Sequence, residues 1–232
     1  MKPKFIAFPN ADKGFHESWA DKGNPPNLCN FPHPFRCCMV AKPNCGKTTS
    51  CLNIILHQVP EFERVIVVHH DPEGTKEYDD IGAEITDQIP DKTDLDPSKK
   101  QLVIIDDLFV KKLSKQDEMK LNRLFGYNST HKNCSCIITT QDYAQVGADI
   151  RRLCNIFIIW KIHDRISQKL LSKKIGLEED DLRNLFKTVL TGDKDSLTVD
   201  MTDKSPAMYR KNIFYPIKIV GDDEVDDGNK SD

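Results

Sequence analysis

Residues 41–48 read Ala-Lys-Pro-Asn-Cys-Gly-Lys-Thr. A loop closed by Gly-Lys-Thr suits the chemistry of phosphate: the glycine permits a tight turn, backbone N–H groups converge on the oxygens, and the lysine adds a mobile positive charge. Lys47 is expected to reach the β- and γ-phosphates of ATP, and the Thr48 hydroxyl to ligate Mg2+. The expected cradle comprises Lys42, Pro43, Asn44, Cys45, Gly46, Lys47, Thr48 and Thr49. Ala41 stands where a first glycine is usual, so the turn there must be one an L-residue adopts, or carry mild strain. Pro43 gives up one amide donor.

About sixty residues on, Leu102-Val-Ile-Ile-Asp-Asp107 is an apolar run ending in two carboxylates. Asp106 suits the shell of the same magnesium ion, and Asp107 would orient or deprotonate the attacking water. A further run, Cys134-Ser-Cys-Ile-Ile-Thr-Thr, finishes at Gln141, whose amide could touch both the γ-phosphate and that water. The pair Cys134 and Cys136 has no second pair at zinc-ribbon spacing. Alternation puts both thiols on one strand face, where they read as core.

These groups need a scaffold that collects them at one edge. Phe35 to Val40 reads as a strand entering the phosphate loop, and Thr48 to His57 as the helix leaving it, with Leu52, Ile55 and Leu56 at helical spacing. Val65–Val68, Leu102–Ile105, Cys134–Thr140 and Ile156–Ile162 are further strands, their continuous apolar character marking cover on both faces. Helices are expected over 114–125, 165–175 with Gly176 as its stop, and 180–190. Residues 70–100 are polar and turn-rich, with room for weak strands or a short helix. Strands alternating with helices give an α/β fold with a mostly parallel sheet flanked by helices. Asn24-Pro-Pro-Asn27 and Phe31-Pro-His-Pro34 make residues 1–32 an irregular N-terminal arm. Residues 33–220 form the main domain with a C-terminal helical extension, and 221–232 an acidic disordered tail.

The 232 residues suffice for one such domain and not for two nucleotide-binding domains in tandem. No apolar run approaches the roughly 20 residues of a membrane span, and the basic N-terminus lacks the apolar stretch of a secretory signal, so an intracellular site with reduced cysteines is expected. The formal charge is -3, but six acids against one lysine after residue 220 leave the rest of the chain at +2. Lys111, Lys112, Lys115, Lys132, Lys173 and Lys174 are candidate contacts to a polyanion. Trp19 and Trp160 lack the basic interleaving of a single-strand stacking platform and read as packing residues.

The order of phosphate loop, Asp106-Asp107, Thr139-Thr140-Gln141 and Asp149-Ile-Arg-Arg152 resembles the genome-packaging ATPases of poxviruses, other large DNA viruses and virophages, of the FtsK-HerA superfamily. The resemblance covers about residues 33–163. It implies a P-loop NTPase fold of the additional-strand (ASCE) type, and ATP hydrolysis coupled to driving double-stranded DNA into a capsid. It further implies a homo-oligomeric ring, a capsid vertex protein as partner, and a location in the virus factory of the host cytoplasm or in the virion. Such ATPases often carry a glutamate where Asp107 stands, and an arginine just before the histidine, where this chain has Thr130 before His131. That arginine finger does not carry over, His131 is read as structural, and Arg151 and Arg152 are substitutes by charge. The rivals are a cellular or plasmid motor of the same superfamily, a nucleotide or nucleoside kinase, and a nucleotide-binding scaffold without hydrolysis.

Overall fold

The computed structural model describes residues 4–7, 29, 31–73, 75–107, 113–204 and 208–220. Ten strands form one sheet: β1 Lys4–Ala7, β2 Arg36–Val40, β3 Arg64–Val68, β4 Glu84–Thr86, β5 Gln101–Ile105, β6 Cys134–Thr140, β7 Ile156–Trp160, β8 Ser196–Asp200, β9 Tyr209–Lys211 and β10 Tyr215–Val220, in the order β1-β10-β9-β8-β7-β2-β6-β5-β3-β4. The pairings from β4 to β7 are all parallel, and those from β7 outward to β1 are antiparallel. The strand ending at Gln141 is thus inserted between the phosphate-loop strand β2 and the acid-ending strand β5. That insertion is the additional strand expected of the fold.

Both faces of the central strands are covered, which explains their unbroken apolar sequences. On β5, Leu102 and Ile104 enter one core while Val103 and Ile105 enter the other. One face is covered by α1 (Lys47–His57), which buries Cys51 and Ile54. The other carries α2 (Lys115–Arg123), α3 (Ala148–Leu153), α4 (Arg165–Ile175) and α5 (Glu179–Thr188). Cys134 and Cys136 both point into that helix-rich core and are fully buried. The Ser114 side chain caps α2 by accepting from Asp117 N. This helix runs past its expected end, through a π-helical turn at Leu124–Asn128 and a last turn at Ser129–His131. Asp164 caps α4, and Gly176, at φ 75, ends it as expected.

Two expectations need correction. Lys4–Ala7, assigned to an irregular arm, pair antiparallel with β10. The region beyond Leu190, read as the end of a helical extension, adds strands β8, β9 and β10 to the sheet. Of the rest of the arm only Cys29, Phe31 and Pro32 are described; Trp19 and the acidic tail lie outside the described residues. Among the described residues of the turn-rich excursion after β3, the sheet gains only the three-residue edge strand β4. There Glu84 receives two hydrogen bonds from the Arg64 guanidinium, at 2.7 and 2.6 Å.

The antiparallel extension is pinned by a buried cation. Arg210 on β9 is fully buried, donates to Cys29 O at 2.7 Å, and meets Asp200 and Asp203 at 3.4 Å each, with the Phe31 ring alongside. Removing one member of such a group strands the other charges out of water. Arg210→Ala is therefore expected to lower the unfolding free energy by about 3–5 kcal/mol, read as a fall in the urea midpoint.

Candidate nucleotide site

The parallel strands end together at one sheet edge, and register decides what meets there. Val40 is level with Thr140, and Ile105 with Ile138, so Asp106 falls beside Thr139. The Thr139 hydroxyl donates to Asp106 Oδ1 at 2.7 Å and accepts from Asp107 N at 2.9 Å. Asp106 N donates in turn to Val68 O. Sequence reasoning missed Tyr78, whose buried hydroxyl donates to Asp106 Oδ2 at 3.0 Å from the excursion after β3. Burial, with Cys51 and Asp106 nearby, holds the Tyr78 phenol far above its usual range, so it stays a donor. One donor on each oxygen fixes the carboxylate plane and leaves lone pairs for water or a metal.

At the same edge the phosphate loop leaves the end of β2. Gly46, at φ 103, precedes α1 in a conformation costly for any side-chain-bearing residue, and Asn44 (φ 61) takes a second left-handed position. Ala41 does not: it is buried, continues the β2–β6 ladder by donating to Thr140 O at 3.0 Å, and is absent from the left-handed positions. The turn is one an L-residue adopts, and the strain falls elsewhere. Helix α1 has no side-chain cap and no acid in its first turn, so its leading N–H groups face the cavity without a resident acceptor. Lys47 is nearly buried, its Nζ lying 3.4 Å from Lys42 O.

A cavity of about 850 Å³ joins these parts, with Asn44, Gly46, Lys47, Thr48, Asp106 and Asp107 in its wall. Pro43, Cys45 and Thr49 line it as well, whereas Lys42 is exposed and outside the lining. The residues fit a magnesium nucleotide: an uncapped helix N-terminus for phosphate, and a hydroxyl and a carboxylate sharing one space. Magnesium takes few protein ligands when phosphates supply the rest. Among the described residues no group of three or more His, Cys, Asp or Glu gathers as a separate metal cluster.

Besides Lys42, three expected site residues are not brought into this cavity. Gln141 lies one residue past β6, exposed and outside the cavity wall. Arg151 rests over the Tyr143 ring at 5.5 Å, and Arg152 pairs with Asp149 at 2.8 Å on the exposed side of α3. The exposed His131 ring stacks on Tyr127 at 4.1 Å.

The fold is that of the P-loop NTPases with an additional strand. By sequence, no family model matches the chain and no curated protein matches it. In three dimensions it is similar to the genome-packaging NTPase B204 of Sulfolobus turreted icosahedral virus 2 in complex with AMPPCP, with TM-score 0.56 and 14% identity over 81% of this chain and 97% of that one. It is likewise similar to B204, the DNA-packaging ATPase of Sulfolobus Turreted Icosahedral Virus, with TM-score 0.56 and 14% identity over 82% and 98% of the chains. The cytoplasmic domain of the Thermomonospora curvata Type VII secretion ATPase EccC gives 0.52 at 10% identity, over 81% of this chain and 25% of that one. At these identities the likeness is one of fold, and it agrees with the resemblance read from the sequence.

Two predictions follow from the geometry. Thr139→Val leaves Asp106 Oδ1 and Asp107 N without their buried partner, and is expected to cost about 1–3 kcal/mol of stability in urea unfolding. Of the eight cysteines only Cys45 is not buried. One equivalent should react rapidly with a thiol reagent in the native protein, and Mg-ATP should slow that reaction several-fold.

Proposed function

We propose that this chain is the ATP-hydrolysing subunit of a motor that moves double-stranded DNA, of the genome-packaging type in the FtsK-HerA superfamily. The observation that carries the reading is the single cavity in which Lys47 and Thr48 face Asp106 and Asp107 across the end of the additional strand. Lys47 and the α1 amides hold the triphosphate. Thr48 and Asp106 would hold a magnesium ion, which would supply positive charge to the phosphate oxygens, Asp106 being kept in place by Thr139 and Tyr78. Asp107 orients the attacking water and accepts its proton.

Coupling to motion would start at the end of β6, where Thr139 supports Asp106 and Asp107 and Gln141 follows outside the cavity wall. Asp142 accepts from Ala144 N at 2.9 Å and from the Ser167 hydroxyl at 3.2 Å, which ties this strand end to α4. Tyr143 follows, with Arg151 over its ring. A shift of the acid pair on loss of the γ-phosphate would therefore pass through the end of β6 and reach α3 through packed groups. Outside the cavity of their own subunit, Arg151 and Arg152 would serve a neighbour's phosphate in a homo-oligomeric ring. Lys115, Lys132, Lys173 and Lys174 are candidate contacts to DNA phosphates, while Lys111 and Lys112 lie outside the described residues. A capsid vertex protein is the partner this role implies. Among the described residues no helix is long and apolar enough to cross a membrane.

The fold likeness to a secretion ATPase favours one other reading, a motor of the same superfamily with a different cargo. DNA distinguishes them. Duplex DNA is expected to raise ATP turnover several-fold and to shift the protein toward a ring in sedimentation; no response of either kind, with intact turnover, removes DNA as cargo. Lys47→Ala should abolish turnover. Asp107→Asn should bind ATP normally and hydrolyse it at least about a hundredfold more slowly, as expected when a general base is lost.

A further inference from the structure

The cavity wall draws residues from both sides of β2, and only one side is explained by phosphate and metal. From β2, the acids lie two strands away on the β5 side. Trp160, at the end of β7, and Ser196, at the start of β8, lie one and two strands away on the opposite side, and both line the same cavity. A triphosphate whose γ end is held near Asp106 and Asp107 passes over Gly46 to Thr48 and delivers its nucleoside toward β7 and β8. The wall there is completed by Leu52 of α1 and by the three residues between β9 and β10, Asn212, Ile213 and Phe214.

That turn is built at a cost. Asn212 has φ 52 and Ile213 φ 71, and a β-branched residue in the left-handed region is strained by about 1–3 kcal/mol. Its surroundings hold it there. Asn212 Oδ1 accepts from Ser196 N at 2.8 Å, its Nδ2 donates to Asp195 Oδ1 at 3.0 Å, and its N donates to Ser196 O at 2.9 Å. Ile213 is buried in the α1-side core. The result is that Phe214, half-buried, reaches the cavity wall with the His57 ring edge-on behind it at 5.8 Å.

We propose that the β9–β10 turn is the nucleobase wall of this site, with the Phe214 ring as the face on which the base of a nucleoside triphosphate stacks. The inference rests on the triphosphate reading of the phosphate loop. A phenyl face suits any flat heterocycle. The Trp160 indole N–H is already donated to Lys194 O at 3.1 Å, and the Asn212 side-chain N–H to Asp195 Oδ1 at 3.0 Å, so the wall receives the ring by its face.

The test uses the full chain and two ligands, Mg-ATP and Mg-tripolyphosphate, each titrated by calorimetry. Phe214→Leu keeps an apolar side chain of similar bulk and should melt close to the unchanged protein. Its dissociation constant for ATP should rise about tenfold, in the range of a lost base–aromatic stack, while that for tripolyphosphate stays within about twofold. Phe214→Trp should restore ATP affinity. Unchanged ATP affinity in Phe214→Leu, or equal weakening of both ligands, overturns the base wall. An unsubstituted protein that binds neither ligand overturns the triphosphate reading instead, and this inference with it.

Discussion

The pairing of β6 between β2 and β5 is the constraint on which the rest of the site depends. It sets the phosphate loop and the acid pair two strands apart, a gap that a hydrated ion and phosphate oxygens can fill. It also supplies Thr139, whose hydroxyl simultaneously supports the Asp106 carboxylate and the Asp107 backbone. A slip of one residue would turn that hydroxyl to the other face of the sheet, and with it every apolar side chain of β6. Because β6 is buried along its whole length, packing enforces the register that the chemistry needs.

Strain is distributed with similar economy. Five non-glycine residues have positive φ among those described, and four of them, Asn44, Asp107, Asn212 and Ile213, line the cavity. Such concentration separates a built site from a crevice between elements. The uncapped start of α1 belongs with it. Helices α2 and α4 carry Ser114 and Asp164 caps, and α3 and α5, which lack a side-chain cap, have acids in the first turn; α1 has neither and leaves its leading amides toward the cavity.

What could be read from the chain alone follows from how local each signal is. The five central strands are continuous β-branched or apolar runs, and the phosphate loop and acid pair use residue types that have few other uses together. The helix stop at Gly176 needs only one residue to declare itself. By contrast, β8 reads Ser-Leu-Thr-Val-Asp, an alternation that carries little weight in five residues, and its partners β7 and β9 are set by tertiary pairing. Strand β1 was hidden because its partner, β10, lies at the far end of the sequence and proline crowds the residues after it. Tyr78 sits in a polar, turn-rich stretch where no periodicity points to burial, and its role exists only once the excursion folds back on β5. Nothing in the sequence marks Ile213 as left-handed, since the residue types that usually adopt that conformation are glycine and asparagine.

The far edge of the sheet carries a consequence of its own. Strand β4 offers only three residues of ladder, and its first side chain, Glu84, is gripped by both arms of the Arg64 guanidinium. A second chain approaching from that side would find a short, charged border instead of a long run of open amides and carbonyls, the arrangement by which natural sheets resist growing into fibrils.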